Sequence, residues 1–128
     1  MKRLFALVLA LTLVALFATT GSFAAEGKKA AKAQSWTGKV VDLGCYMGRG
    51  AKGEGHKECG LKCVANGMPM GLLVGGNKVY LLTLSHDNGD PFNACKGMVG
   101  QQVKIGGTMN VKGGLQAIEV ARDRKSVV

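Results

Sequence analysis

Nineteen residues, Cys45 to Cys63 (CYMGRGAKGEGHKECGLKC), hold three of the chain's four cysteines and one of its two histidines. Sulfurs this close in sequence must be bridged as disulfides, gathered around a metal ion, or poised for thiol redox chemistry. Each outcome constrains backbone geometry more tightly than hydrophobic patterning alone. The rest of the chain sets the context in which the three are weighed.

The chain has 128 residues, which is the size of one domain. Its start reads as a signal peptide over residues 1–24. Lys2 and Arg3 form a positive head, and Leu4 to Ala18 are apolar apart from Thr12. Ser22-Phe23-Ala24 then offers small residues where a signal peptidase reads. The apolar run is shorter than a spanning helix needs. No cysteine follows it to carry a lipid, so no stable membrane anchor is expected. The expected product is exported, periplasmic or secreted, beginning near Ala25. It keeps fifteen Lys and Arg against eight acids, a net charge of +7. Residues 25–34 (AEGKKAAKAQ) read as a solvated Lys/Ala-rich linker, residues 35–122 as a small domain, and residues 123–128 as a tail. With the phenylalanines of the leader removed, Trp36, Tyr46, Tyr80 and Phe92 are the large rings left to build a core. A core this modest gains from cross-linking through cysteine or metal.

The domain patterns as strands. Ser35 to Leu43 is rich in strand formers, and Gly48 to Gly55 reads as a mobile loop. His56 to Asn66 fits three turns of helix, ended by Gly67 and Pro69. Leu72–Val74 and Lys78–Leu84 flank Gly75-Gly76-Asn77, a hairpin signal. Ser85 to Pro91 is a turn-rich loop. Gln102 to Met109 alternates, and the chain returns after Lys112-Gly113-Gly114 as Leu115–Val120. These elements predict a mainly β fold: a small five-stranded, OB-like barrel with one short helix inserted after the first strand.

On that helix His56, Cys59 and Cys63 fall at i, i+3 and i+7, along one face. Cys45, at the end of the first strand, approaches from the sheet. Three thiolates and an imidazole make a tetrahedral set for zinc and also suit copper(I). Disulfides compete, because an exported domain with four cysteines invites two bridges. Cys45 with Cys59 or Cys63, and Cys95 taking the other, is the natural pairing. Thiol redox catalysis comes third, since no C-x-x-C opens a helix here.

Several stretches together, Gly44-Cys45-Tyr46, His56-x-x-Cys59-x-x-x-Cys63, Gly67-Met-Pro-Met-Gly-Leu-Leu73, Val79-Tyr-Leu-Leu82 and Gly113-Gly-Leu-Gln-Ala-Ile-Glu-Val120, carry a resemblance. The chain resembles a family of small exported bacterial proteins, mostly uncharacterised, with an OB-like barrel and a Cys/His-containing helical insert. The resemblance spans nearly all of the domain. It implies that Cys45, His56, Cys59 and Cys63 act as a set and that Cys95 is an addition to the pattern, free to serve as a disulfide partner.

Met47, Met68 and Met70 are accessory candidates whose thioethers would extend a copper(I) site, although core filling is the commoner role of methionine. His86 is an accessory candidate from a neighbouring loop. Asp87 to Asp90 resembles a piece of a calcium loop but lacks the ligand period and reads as a turn. Nucleic-acid binding is not expected, because few rings remain as stacking platforms. No nucleophile–base pair or phosphate-cradling loop appears, so the residues favour a binding protein over an enzyme. The expected partner is a metal ion, and no protein partner is indicated.

Overall fold

The computed structural model describes residues 34–121; the expected leader, the linker before Gln34 and the tail beyond Ala121 lie outside the described residues. Five strands close into a barrel: β1 (Gln34–Asp42), β2 (Met70–Val74), β3 (Lys78–Leu84), β4 (Gln102–Lys112) and β5 (Leu115–Val120). Their order around the barrel is β1-β2-β3-β5-β4, with β4 returning to β1. Neighbours run antiparallel except β3 and β5, which are parallel. Closure pairs the strand edges that a five-stranded sheet would otherwise expose. The expected mainly β, five-stranded barrel is the fold observed.

Alternation along the strands fills the interior. Val40, Leu72 and Ile118 are fully buried, joined by Met70, Leu82, Ile105 and Val120. Both expected hairpins form. Leu73 pairs with Val79 across the β2–β3 turn, and Val111 pairs with Gln116 across the β4–β5 turn.

The insert between β1 and β2 departs from expectation. β1 ends at Asp42 rather than Leu43, and Leu43–Arg49 forms a helix, α1, where a strand end and then a mobile loop were expected. A 3-10 turn at Glu54–His56 leads into α2 (Lys57–Ala65), which replaces the expected His56–Asn66 helix within a residue at each end. α1 contains Gly44 and Gly48 and has poor intrinsic propensity. Tertiary contacts decide it instead. Asp42 caps its N-terminus, the Leu43 N–H donates to the Pro69 carbonyl at 2.9 Å, and Gly50, left-handed at φ 67°, donates to the Cys45 and Tyr46 carbonyls.

A further helix, α3 (Asp90–Cys95), and a 3-10 turn at Lys96–Met98 stand between β3 and β4, where a loop alone was expected. Its start carries an acid and a proline in the first turn, which are helix-opening signals as well as turn signals. Among the described residues no helix is long and apolar enough to cross a membrane.

Candidate metal centre

Asp42 organises the site. It is the last residue of β1 and is fully buried. One carboxylate oxygen, Oδ1, accepts from the Cys45 N–H at 2.8 Å and so caps α1, a contact of about 0.5–2 kcal/mol. The other, Oδ2, lies 3.0 Å from His56 Nε2. A carboxylate only accepts, so Nε2–H donates to it, and in the neutral imidazole Nδ1 then carries the free lone pair. A single buried side chain thus fixes the helix that carries Cys45 and sets the tautomer of the imidazole.

α2 brings the other two sulfurs. Its Gly60 and Val64 face the barrel and are buried. A Cβ on Gly60 would sit 2.6 Å from Val99 Cγ1, 3.2 Å from Asp42 Oδ2 and 3.7 Å from His56 Cδ2. Only glycine lets the helix come this close to Val99 and the Asp42 carboxylate, and this accounts for a residue of low propensity in mid-helix. With α2 so seated, the Sγ atoms of Cys45, Cys59 and Cys63 all lie within 4.8 Å of one another. Two thiolates on a common tetrahedral zinc stand ~3.8 Å apart, so small side-chain rotations bring the trio to bonding geometry. An oxygen of Asp42, Cys45 Sγ and a ring nitrogen of His56 form a second group within the same 4.8 Å limit. Cys45 belongs to both.

The sequence expectation placed Cys45, His56, Cys59 and Cys63 in one cluster. The three sulfurs do converge, while His56 reaches the cluster through Cys45 and Asp42. Cys59 is exposed, and Cys45 and Cys63 are half-buried. Arg49, one turn after Cys45, donates from Nη2 to Cys45 Sγ at 3.4 Å. That hydrogen bond and the nearby thiolate charge raise the Arg49 pKa further. Partial burial, followed by hydrogen bonds with the Cys45 and Cys59 thiols, pushes Cys63 up to about 11. A bound cation reverses that order, because it holds the thiolates directly.

The accessory candidates separate. The Met68 thioether lies over Gly44, beside Cys45, and a Cβ there would be 2.7 Å from Met68 Sδ. Met47 projects from α1 and is 74% exposed. Met70 is a core residue, fully buried, and His86 is exposed in the loop after β3. All four cysteines are free. Cys95 is buried in the barrel core on α3, donates to the Pro91 carbonyl at 3.3 Å and has its pKa raised by burial. It is not among the three sulfurs that converge.

Sequence reasoning missed Asp42 and Arg49. Asp42 stands three residues before Cys45, the spacing of an N-cap side chain and the N–H that it satisfies, and Arg49 stands four after, on the same helical face. Both signals were present once α1 was seen as a helix. No protein-family model, curated protein or solved structure matches the chain, so the reading of this site rests on its geometry.

Proposed function

We propose that the protein is an exported small β-barrel that binds one transition metal ion, zinc or copper(I), through Cys45, Cys59, Cys63 and His56. Its work is metal handling, sensing or structural closure rather than catalysis, in the periplasm or outside the cell. The observation that carries this reading is the convergence of three Sγ atoms within 4.8 Å from two separate helices, beside an imidazole held by a buried carboxylate. A ligating histidine whose other ring nitrogen donates to a carboxylate is a recurrent feature of metal sites, fixing tautomer and orientation. Export rests on the reading of residues 1–24 as a leader, and the family resemblance implies the same ligand set.

The competing reading, a domain stapled by two disulfides with an unidentified ligand, loses support from Cys95, which packs in the core away from the other sulfurs. Natively purified protein should carry one metal equivalent and, after denaturation in chelator, four titratable thiols. A strong chelator should lower its melting temperature. A metal-free protein with no titratable thiol, whose melting falls only with reductant, would establish staples in place of a metal. The N-terminus of the exported form should be at or near Ala25; an intact Met1 in a membrane fraction would overturn the soluble, processed form.

A further inference from the structure

Building on the metal-binding reading above, we propose that the Cys45–Cys59–Cys63 trio is a transfer site for copper(I), held by three thiolates, with Cys59 as the ligand that exchanges onto an acceptor. The sulfurs form a complete group by themselves, while His56 groups with Cys45 and Asp42 and not with Cys59 and Cys63. Structural zinc takes four protein ligands and therefore needs the imidazole to move in. Copper(I), a soft ion with a filled d shell, is satisfied by three thiolates and needs nothing from His56.

The surroundings favour the softer ion and an open site. Structural zinc sites are closed. Here Cys59 is exposed. The Met68 thioether packs against Gly44, the residue before Cys45 in sequence, and Met47 extends from the same helix into solvent, so the helix that carries Cys45 also carries or touches two soft donors. Three thiolates on copper(I) carry a net charge of −2. The Arg49 guanidinium on Cys45 Sγ offsets part of it, and Lys62, exposed beside Cys63 on α2, adds positive charge to the rim. An acceptor with soft ligands on an acidic surface is complementary to that rim.

The exchange balances without redox change. A donor atom of the acceptor, a thiolate, thioether or diimine nitrogen, forms a bond to copper(I) as the copper–Sγ bond of Cys59 breaks. Copper remains copper(I), and the released Cys59 thiolate takes a proton from water. Cys45 and Cys63, half-buried, hold the ion until a second acceptor ligand arrives.

The test uses the purified, reduced, metal-free protein under anaerobic conditions, titrated with copper(I) and with zinc(II) against chromophoric competitors. The variants are His56→Gln, which keeps an N–H donor for Asp42, and Cys59→Ser. Wild type should take one copper(I). His56→Gln should leave copper(I) affinity within about threefold while weakening zinc roughly 10–100-fold, as loss of a ligand or its support does. Cys59→Ser should weaken copper(I) by at least about tenfold. If His56→Gln weakens copper(I) as much as zinc, the ion is held by four ligands; the three-thiolate assignment fails while the metal site stands. If wild type binds neither ion, the metal reading itself fails. Stopped-flow transfer of copper(I) to bathocuproine disulfonate, an anionic acceptor, should speed up in proportion to acceptor concentration. A rate independent of acceptor would mean release into solution and overturn exchange at Cys59.

Discussion

Asp42→Asn is the most informative single change, because it alters two hydrogen bonds without altering shape. In the native site both carboxylate oxygens accept, from the Cys45 N–H at 2.8 Å and from His56 Nε2 at 3.0 Å. An amide has one acceptor and one donor group, so it cannot satisfy both. With its oxygen on the cap, its NH2 faces His56 Nε2, which must become an acceptor; the proton then moves to Nδ1, and the imidazole loses the lone pair a metal needs. Turned the other way, the amide restores the histidine bond, but its NH2 faces the Cys45 N–H and α1 loses its cap. The first arrangement forfeits a charge-assisted bond of about 1.5–3 kcal/mol, the second a cap of about 0.5–2 kcal/mol. In a domain of this size either loss lowers the melting temperature of the metal-free protein by on the order of 10 °C. Zinc affinity should fall roughly 10–100-fold. Denaturant unfolding of the metal-free protein and zinc titration against a chromophoric competitor read the two effects separately. If the variant unfolds more easily yet binds zinc within about threefold of wild type, Asp42 supports the fold alone, and its role in orienting His56 is refuted.

Three other outcomes follow from the same geometry. Gly60→Ala would gain about 1 kcal/mol on an open helix, but its methyl would stand 2.6 Å from Val99 Cγ1 in the core, an overpacking of about 1–3 kcal/mol, so the variant should be net destabilised on urea unfolding; a stabilised variant would show that α2 sits further from the barrel. Cys95→Ser should retain one metal equivalent by elemental analysis while unfolding about 1 kcal/mol more easily, since Cys95 is buried away from the trio; a lost equivalent would place Cys95 in the site. In the reduced, metal-free protein Cys63 titrates at about 11 rather than its ordinary 9.0, so the folded chain retains a proton that the unfolded chain releases. Its contribution is present below about pH 9 and lost as pH rises towards 11, and unfolding curves of Cys63→Ser should lack that part of the alkaline decline; superimposable pH profiles would refute it.

The barrel was legible because its cues are local. Leu72–Val74, Gly75-Gly76-Asn77 and Lys78–Leu84 state a hairpin within thirteen residues, and Gly75 and Gly76 do adopt positive φ. α2 was legible for the same reason: the i, i+3, i+7 spacing, with Gly67 and Pro69 after it, marks one face and an end. α1 was hidden because its own residues have poor helix propensity. Two of its seven residues are glycine, and what holds it is a cap from the preceding strand and a bond to Pro69, which is distant in sequence. With α1 unseen, Asp42 looked like a polar strand end. The convergence of the sulfurs could be inferred from spacing; the separation of His56 from Cys59 and Cys63 could not, because it depends on which partner the buried carboxylate claims.

That carboxylate also ties the site to the barrel. Asp42 pairs in register with Met70, so the insert leaves β1 and returns to β2 at directly opposed residues. The ends of the insert are thus held by the ladder whatever happens between them. Inside it, α1 buries no residue, and α2 buries Gly60 and Val64 alone. The core residues Val40, Leu72, Leu82, Ile105 and Ile118 come from the strands. Two helices with so little buried surface lie at the low end of local stability. The Asp42–His56 contact and the three converging sulfurs tie the insert together. A metal linking Cys45 on α1 to Cys59 and Cys63 on α2 closes the glycine-rich stretch between the helices and removes conformational freedom there. At the proposed site, binding free energy would be coupled to order in the insert as well as to the stability of the barrel it is tied to.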